Sequence, residues 1–351
     1  MVGREAVMAG KVGHEATRRN AGYPAGEGEL MRAAVRERYG DAGNLHIAQI
    51  KRPQIKGDEV LVKVGAAGLD RGTWHMMTGR PYLMRLVFGL RRPRDPVLGL
   101  DLAGTVAAVG GSVTRFHVGD EVFGTGRGTF AGYAAAKETR LALKPAGLSF
   151  SQAAVVPVSA VTALQGLRDA GRVQAGHKVL VTGASGGVGS YAVQLAKSFG
   201  ADVTGVCSTS KMDLLRSLGA DHVIDYSRDD FADGGQHYDL ILDFAGNPSL
   251  SRLRGALTPN GTAVIGGGEQ GGNVTGLGRQ LRAVAVSPFV GQRLVMFASV
   301  QRGADLEHLA GLIHAGKVVP CLDRTFPLDQ VEAAMRYLEG GKVRGKVAIT
   351  P

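Results

Sequence analysis

Residues 179–189 read VLVTGASGGVG and run without a break into SYAVQLAKSFG at 190–200. Four apolar or β-branched residues predict a short buried strand, and the glycines at 183, 186, 187 and 189 predict a tight loop. The amphipathic stretch after them predicts a helix. A strand that passes through glycines into a helix N-terminus leaves backbone N–H groups unpaired. It also puts the positive end of the helix dipole where a pyrophosphate can sit. Gly186 and Gly187 let the backbone approach phosphates, and Gly189 lets the helix pack closely on the strand. Ala184 takes the first position of the usual G-x-G-x-x-G pattern, so the expected cofactor contacts are Ala184, Ser185, Gly186, Gly187, Val188 and Gly189.

Moving outward, residues 156–300 alternate apolar strands (KVLVTG, DVTGVCS, HVIDY, YDLILDFAG, GTAVIGGG) with helical stretches such as KMDLLRSLG. That alternation implies right-handed βαβ units and a parallel sheet. Residues 31–155 have a different texture: DEVLVKVGAAGL, GLDLAGTVAAVG, GDEVFGT and FAGYAAAKE are short, valine-rich and separated by turns, as in an all-β unit. Residues 301–351 hold two amphipathic helices and a closing strand, GKVAIT. Residues 1–30 show no sustained period and no apolar signal-peptide core, and they read as a disordered tail.

The second strand of the parallel unit decides the nucleotide. An acidic residue at its end would hold the ribose 2′-OH of NAD. Here it ends in Cys207-Ser208-Thr209-Ser210-Lys211, and hydroxyls with an ammonium suit a 2′-phosphate instead. NADPH is therefore favoured over NADH. Two rivals share the loop. Gly183-Ala-Ser185-Gly-Gly187 fits the nucleophile elbow of an α/β-hydrolase, which needs an acid and then a histidine downstream. The same glycines suit short-chain dehydrogenases, but the one Tyr-x-x-x-Lys pair, Tyr133 to Lys137, lies upstream in a strand pattern.

Composition sets the frame. The 351 residues, 44% hydrophobic and 21% charged, suffice for two domains with full cores. Of 53 glycines, four fall in 183–189 and eight in 261–278, beside the predicted nucleotide site. Net charge is +10, and residues 31–153 hold 18 basic against 10 acidic residues, with a knot at Arg85, Arg91, Arg92 and Arg94. An anionic ligand, nucleic acid or an acidic membrane surface would each suit that charge. No nucleic-acid-binding motif is present, and no apolar run approaches the ~20 residues of a membrane span. Two cysteines, Cys207 and Cys321, are too few for a disulfide framework, so the expected compartment is a reducing cytoplasm.

In order and spacing, DEVLVKVGAAGLDRGTWHMMTG, PVLGLDLAGTVAAVG, GDEVFG, SAVTALQGL, VLVTGASGGVGSYAVQLAK, RSLGADHVIDY and GKVAIT together resemble a zinc-independent medium-chain dehydrogenase/reductase of the quinone oxidoreductase and enone reductase branch. The resemblance covers nearly all of 31–351. It implies an α/β protein with a GroES-like β-rich catalytic domain (31–155 and 301–351) and a Rossmann doubly wound parallel-sheet domain (156–300), the active site lying in the cleft between them. It further implies a homodimer joined near the TAVIGGG sheet edge. Asp70 stands where the zinc alcohol dehydrogenases carry a cysteine, and Gly99-Leu100-Asp101 stands for their Gly-His-Glu, so no zinc is expected. A metal site improvised from Asp70, Asp101 and His75 is the minor alternative.

The expected reaction is hydride transfer from NADPH to a quinone or an α,β-unsaturated carbonyl. Asp70 and His75 match positions at the substrate, and His75 is the candidate proton or hydrogen-bond donor. Trp74 and Tyr82 are the expected apolar wall. By the same resemblance, Thr162 lies near the nicotinamide, and Ser208, Lys211 and Tyr226 lie around the adenosine 2′-phosphate. Gly246, Asn247, Gly266, Gly267 and Gly268 follow two strand ends on the ligand side of the sheet. The alternatives are an NAD(P)-dependent alcohol dehydrogenase of the same superfamily, or a non-enzymatic nucleotide sensor or nucleic-acid binder.

Overall fold

The computed structural model describes residues 28–245, 248–266 and 278–351. Its strands are β1 (Leu30–Val35), β2 (His46–Lys51), β3 (Glu59–Leu69), β4 (Asp101–Val109), β5 (Glu121–Thr125), β6 (Tyr133–Lys137) and β7 (Leu141–Leu143). They continue as β8 (Lys178–Thr182), β9 (Asp202–Cys207), β10 (His222–Asp225), β11 (Tyr238–Asp243), β12 (Leu257–Ile265), β13 (Arg293–Met296), β14 (Leu322–Pro327) and β15 (Lys346–Thr350).

The six strands β8 to β13 form one sheet in the order β10-β9-β8-β11-β12-β13, with every pair parallel. Counted from β8, this is the 3-2-1-4-5-6 order of a dinucleotide-binding sheet. Its strands read as continuous apolar runs because helices cover both faces. Val179, Leu180, Val181, Leu240, Ile241 and Leu242 are all fully buried. The strand order reverses beside β8, which places the crevice for a ligand at the loop after β8.

The other large sheet runs β14-β15-β3-β4-β5-β7, with β6 also pairing with β3. Here β15, from the far end of the chain, lies antiparallel to β3, with Val347 opposite Leu69. The C-terminal strand thus completes the N-terminal sheet, and the long excursion through the parallel sheet is an insertion between them. The pairing of Tyr133–Lys137 with Glu59–Lys63 confirms that the Tyr-x-x-x-Lys sequence is sheet, far from the glycine loop.

Helix α1 (Arg71–Thr78) follows β3 and turns Met76 and Met77 into the core of the β-rich sheet; after the short helices α2 (Arg85–Phe88) and α3 (Phe150–Ala154), α4 (Pro157–Gln165) packs between the two sheets and leads toward β8. The helix α5 (Gly187–Ser198) follows β8. One buried cluster runs from Ala66, Ala103 and Phe123 through Val161 and Leu164 to Val181 and Tyr191. Polar ties reinforce it. The Tyr191 hydroxyl donates to Val155 O at 3.1 Å, and the Gln194 amide both donates to and accepts from Val319. The two lobes are therefore packed across a shared apolar seam, and the crevice between them has a fixed floor. Among the described residues, no helix is long and apolar enough to cross a membrane.

Candidate active site

The glycine loop does what its sequence demands. Gly183 sits at φ +62°, a left-handed turn that favours glycine. Gly186 is the N-cap of α5, and no side chain caps that helix. The first-turn residues Gly187, Val188 and Gly189 line a cavity of about 900 Å³ between the two sheets, together with Gly183, Ser185 and Gly186. A Cβ on Gly189 would lie 2.3 Å from Gly183 O and 2.6 Å from Ala184 Cα, so that glycine lets helix and strand pack. A Cβ on Gly186 would meet only Gly183 O, at 3.3 Å. The protein leaves the space above Gly186 open. An uncapped helix N-terminus facing that space fits a pyrophosphate.

The end of the cavity beside the C-terminus of β9 is lined by Ser208, Lys211, Tyr226, Ser227 and Arg228. The β9 strand ends without an acid there, as its sequence predicts. Lys211 Nζ donates to Gly341 O at 2.8 Å and Val343 O at 2.7 Å, which leaves one N–H for a ligand, and burial lowers its pKa. The nearby Asp225 is held below the usual carboxylate range by the hydroxyls of Thr209 and Ser227, so its charge is spent on the loop itself.

The opposite end is built from three charged side chains. Lys346 opens β15 and is 2% exposed, and its Nζ lies 3.0 Å from Asp101 Oδ2 and 3.5 Å from Asp70 Oδ2. Asp101 opens β4 and is fully buried, and its Oδ1 accepts from the Val158 N–H at 2.9 Å. Asp70 caps α1 by accepting from the Thr73 N–H at 2.7 Å, while its buried Oδ2 makes no hydrogen bond. The 3.5 Å ion pair with Lys346 is thus a charge contact. Burial pushes the Asp101 carboxyl up to about 7; Lys346 opposes that shift and Asp70 adds to it. Lys346 is itself raised because the two carboxylates outweigh its desolvation. A Cβ on Gly187 would lie 2.9 Å from Lys346 Cδ, so the lysine stem packs directly against the glycine loop.

The family model described as "alcohol dehydrogenase GroES-like domain" matches residues 56–166, and that described as "zinc-binding dehydrogenase" matches 218–349. A 2-methylene-furan-3-one reductase of Solanum lycopersicum is 35% identical over 331 residues, covering 89% of this chain and 78% of that protein. The NADPH-dependent alkenal/one oxidoreductase, chloroplastic, of Arabidopsis thaliana is 35% identical over 336 residues, covering 92% and 80%. The solved quinone oxidoreductase of Coxiella burnetii superposes with a TM-score of 0.81 at 27% identity, covering 92% of this chain and all of that one. The chain belongs to the quinone and enone oxidoreductase branch of the medium-chain dehydrogenase/reductases. It is an oxidoreductase that uses a nicotinamide cofactor.

As a medium-chain reductase, the protein distributes its expected site residues unevenly. Asp70, Ser185, Gly186, Gly187, Val188, Gly189, Ser208, Lys211 and Tyr226 all line the cavity, and Ala184 lies buried beneath the loop. Thr162 is not among the lining residues, and its hydroxyl donates to Val158 O at 2.6 Å and contacts Ser299 Oγ at 2.8 Å. His75, Trp74 and Tyr82 are also not among them. His75 Nδ1 lies 2.7 Å from Arg80 O, the Trp74 indole N–H donates to Glu339, and Tyr82 is 44% exposed with Arg85 stacked on its ring. The reason is helical period: α1 turns Thr73, Met76 and Met77 into the core, so Trp74 and His75 face elsewhere. Gly266 is glycine because a Cβ would lie 2.3 Å from the Phe244 ring. Gly246, Asn247, Gly267 and Gly268 lie outside the described residues.

Among the lining residues that the sequence did not single out are Lys346, Arg228 and Phe244. The first had a signal. A lysine opening the apolar strand KVAIT is a charge where both faces are covered, and such a charge needs a partner. Ser185, the nucleophile of the hydrolase alternative, shares the cavity with no histidine, and its carbonyl accepts from the Gly345 N–H.

Proposed function

We propose that this protein reduces an α,β-unsaturated carbonyl or a quinone with NADPH and without zinc. The observation that carries the reading is one cavity whose lining holds both the uncapped α5 N-terminus and the Asp70–Lys346 pair, with Asp101 buried behind that pair. Bound NADPH would supply the hydride. The backbone of Gly186, Gly187 and Val188 would hold its pyrophosphate, and Ser208, Lys211, Arg228 and Tyr226 would surround the adenosine 2′-phosphate. Phe244 and Val158 would give the flat apolar contact that an enone or quinone ring requires.

Zinc is disfavoured by what stands in its place. Between the carboxylates of Asp70 and Asp101 lies the Lys346 ammonium, which a divalent cation would have to expel from a site where it is already 2% exposed. Lys346 fixes one positive charge beside the reacting end. With Asp101 near 7, the cluster can take up or give back a proton at neutral pH. His75, pinned to Arg80 O, is left to support the turn after α1, and water carries the proton to the substrate. Thr162 is proposed to orient Val158 and Ser299 at the cavity rim and not to touch cofactor itself.

Cys207 is buried and Cys321 half-buried, both as free thiols, which supports a reducing compartment, cytosolic or organellar. The TAVIGGG stretch enters β12, which lies inside the sheet between β11 and β13; among the described residues the edge strand is β13, and that edge, with Met296 46% and Phe289 88% exposed nearby, supports a homodimer. The test is NADPH and NADH consumption against enones, 2-alkenals, quinones and simple alcohols, with and without chelator. Turnover of enones or quinones that chelator leaves unchanged is expected. Activity confined to alcohols and abolished by chelator would replace this reading with the alcohol dehydrogenase one.

A further inference from the structure

The segment after α1 presents an apolar face that nothing among the described residues covers. A 3₁₀ turn over Tyr82–Met84 runs into α2, and Leu83, Leu86 and Val87 stand at i, i+3 and i+4 with Leu90 just beyond the cap. Their exposures are 43%, 62%, 67% and 66%. A soluble helix turns such a stripe inward; this one turns it out.

The outward pose is held from below. Phe88 packs against the core of the β-rich sheet, the Tyr39 hydroxyl donates to Gly89 O at 2.7 Å, and Arg85 Nε donates to Gly79 O at 3.0 Å. The Arg85 guanidinium is stacked on both Tyr39 and Tyr82, 4.5 and 4.7 Å from the ring centroids. The four aliphatic side chains are thus offered on a braced platform.

Charge identifies the partner. Residues 80–94 contain five arginines, at 80, 85, 91, 92 and 94, and no acid. Among the described residues none of the five makes an ion pair, and Arg80, Arg91, Arg92 and Arg94 are exposed. Beneath them Arg36 is 1% exposed and adds a further positive charge near Tyr39, where burial disfavours it. We infer that this face docks on an anionic lipid bilayer, with Leu83, Leu86, Val87 and Leu90 entering the acyl boundary and the arginines lying among the headgroup phosphates. A nucleic acid would satisfy the guanidiniums and leave four aliphatic side chains against a polar backbone. A second copy of the same face would set five arginines against five. The docked surface lies apart from the cavity, whose lining includes none of residues 80–94, so docking leaves the site free to turn over.

The test is sedimentation of the full chain with phosphatidylcholine vesicles containing about 30% phosphatidylglycerol, against pure phosphatidylcholine, at low salt. Binding to the anionic vesicles alone, released at about 0.5 M salt, is expected. Leu86→Ser with Val87→Ser should weaken it at least ~10-fold, and Arg91→Gln with Arg92→Gln roughly 30-fold. Both variants should keep wild-type turnover of a water-soluble enone, which shows that they fold. Equal binding to neutral and anionic vesicles, or undiminished binding by either variant, overturns the inference. So does a halved mass of the Leu86/Val87 variant in light scattering, which would make the face a self-interface. Variant-sensitive binding to duplex DNA without vesicle binding would likewise overturn it.

Discussion

The two ends of the cavity are made in opposite ways. The end proposed to hold the phosphates is backbone: a turn, four glycines and the first N–H groups of one helix, all within residues 183–189. The end proposed for the substrate is side chain: a lysine from β15 between carboxylates from β4 and the start of α1, with Lys346 and Asp101 separated by 245 positions in the chain. A backbone site costs little to hold ready because its polar groups belong to the helix in any case. A buried charged cluster is held only as long as every member is present. The same difference should appear when each end is damaged.

The largest effect is expected from removing the counter-ion. Lys346→Met keeps the apolar stem against Gly187 but leaves Asp70 and Asp101 buried without their cation, and should cost about 3–5 kcal/mol in urea unfolding at a pH above about 8, where both carboxyls would otherwise be charged. A loss below about 1 kcal/mol would show that the carboxylates are neutral and that the cluster is weaker than its geometry. The Asp101 carboxyl then gives a pH signature. Its folded value of about 7 lies above the unfolded ~3.9. Between those values the folded state holds a proton that the unfolded chain has released, so this group makes stability fall as pH rises from about 4 to 7. Over that window the stability of wild type relative to Asp101→Asn should decline by roughly a few kcal/mol, measured as paired urea midpoints. A constant difference would place the proton elsewhere in the cluster.

Smaller losses should separate two glycines of one loop. Gly189→Ala drives a Cβ against backbone at 2.3 and 2.6 Å and should destabilise by about 1–3 kcal/mol. Gly186→Ala meets one carbonyl at 3.3 Å, so stability should hold to within about 0.5 kcal/mol. Its methyl instead occupies the open space above the α5 N-terminus, so KM for NADPH should rise about 10-fold or more with little change in melting temperature. If Gly186→Ala binds NADPH normally, the phosphate is not where the helix dipole points.

The contrast also explains which parts were legible beforehand. The parallel sheet, the loop and the absence of an acid after β9 are written in contiguous residues, where period and turn chemistry act locally. The GroES-like sheet could be recognised only as a pattern of short strands, and its closure by β15 came with the family resemblance, since no local signal pairs residue 347 with residue 69. At the proposed substrate end, the expected grouping rested on the family resemblance and not on a local signal. Asp70 is at the cavity, and His75, Trp74 and Tyr82 follow it closely, yet α1 buries Thr73, Met76 and Met77 and so carries Trp74 and His75 around to another face. Lys346 reads as one more surface lysine until the strand around it is seen to be covered on both sides.

The smallest expected effects lie at the adenosine end, where backbone and side-chain construction meet. Lys211 gives two of its N–H groups to Gly341 O and Val343 O, in the segment that leads into β15, whereas Arg228 lines the same pocket with an exposed side chain and only a 3.8 Å charge contact to Asp225. In the proposed arrangement Arg228 answers the 2′-phosphate alone, while Lys211 also braces the 341–343 segment of the cavity wall. Arg228→Ala should raise KM for NADPH about 10-fold, the worth of one partly solvated charge-assisted contact, and leave KM for NADH unchanged. Lys211→Ala should raise KM for both, more for NADPH than for NADH, because it removes a charge and loosens the 341–343 loop together. Steady-state kinetics with both cofactors decides between these roles. A Lys211→Ala defect confined to NADPH would mean that the loop stands without its ammonium, and an equal defect with both cofactors in Arg228→Ala would remove Arg228 from phosphate recognition.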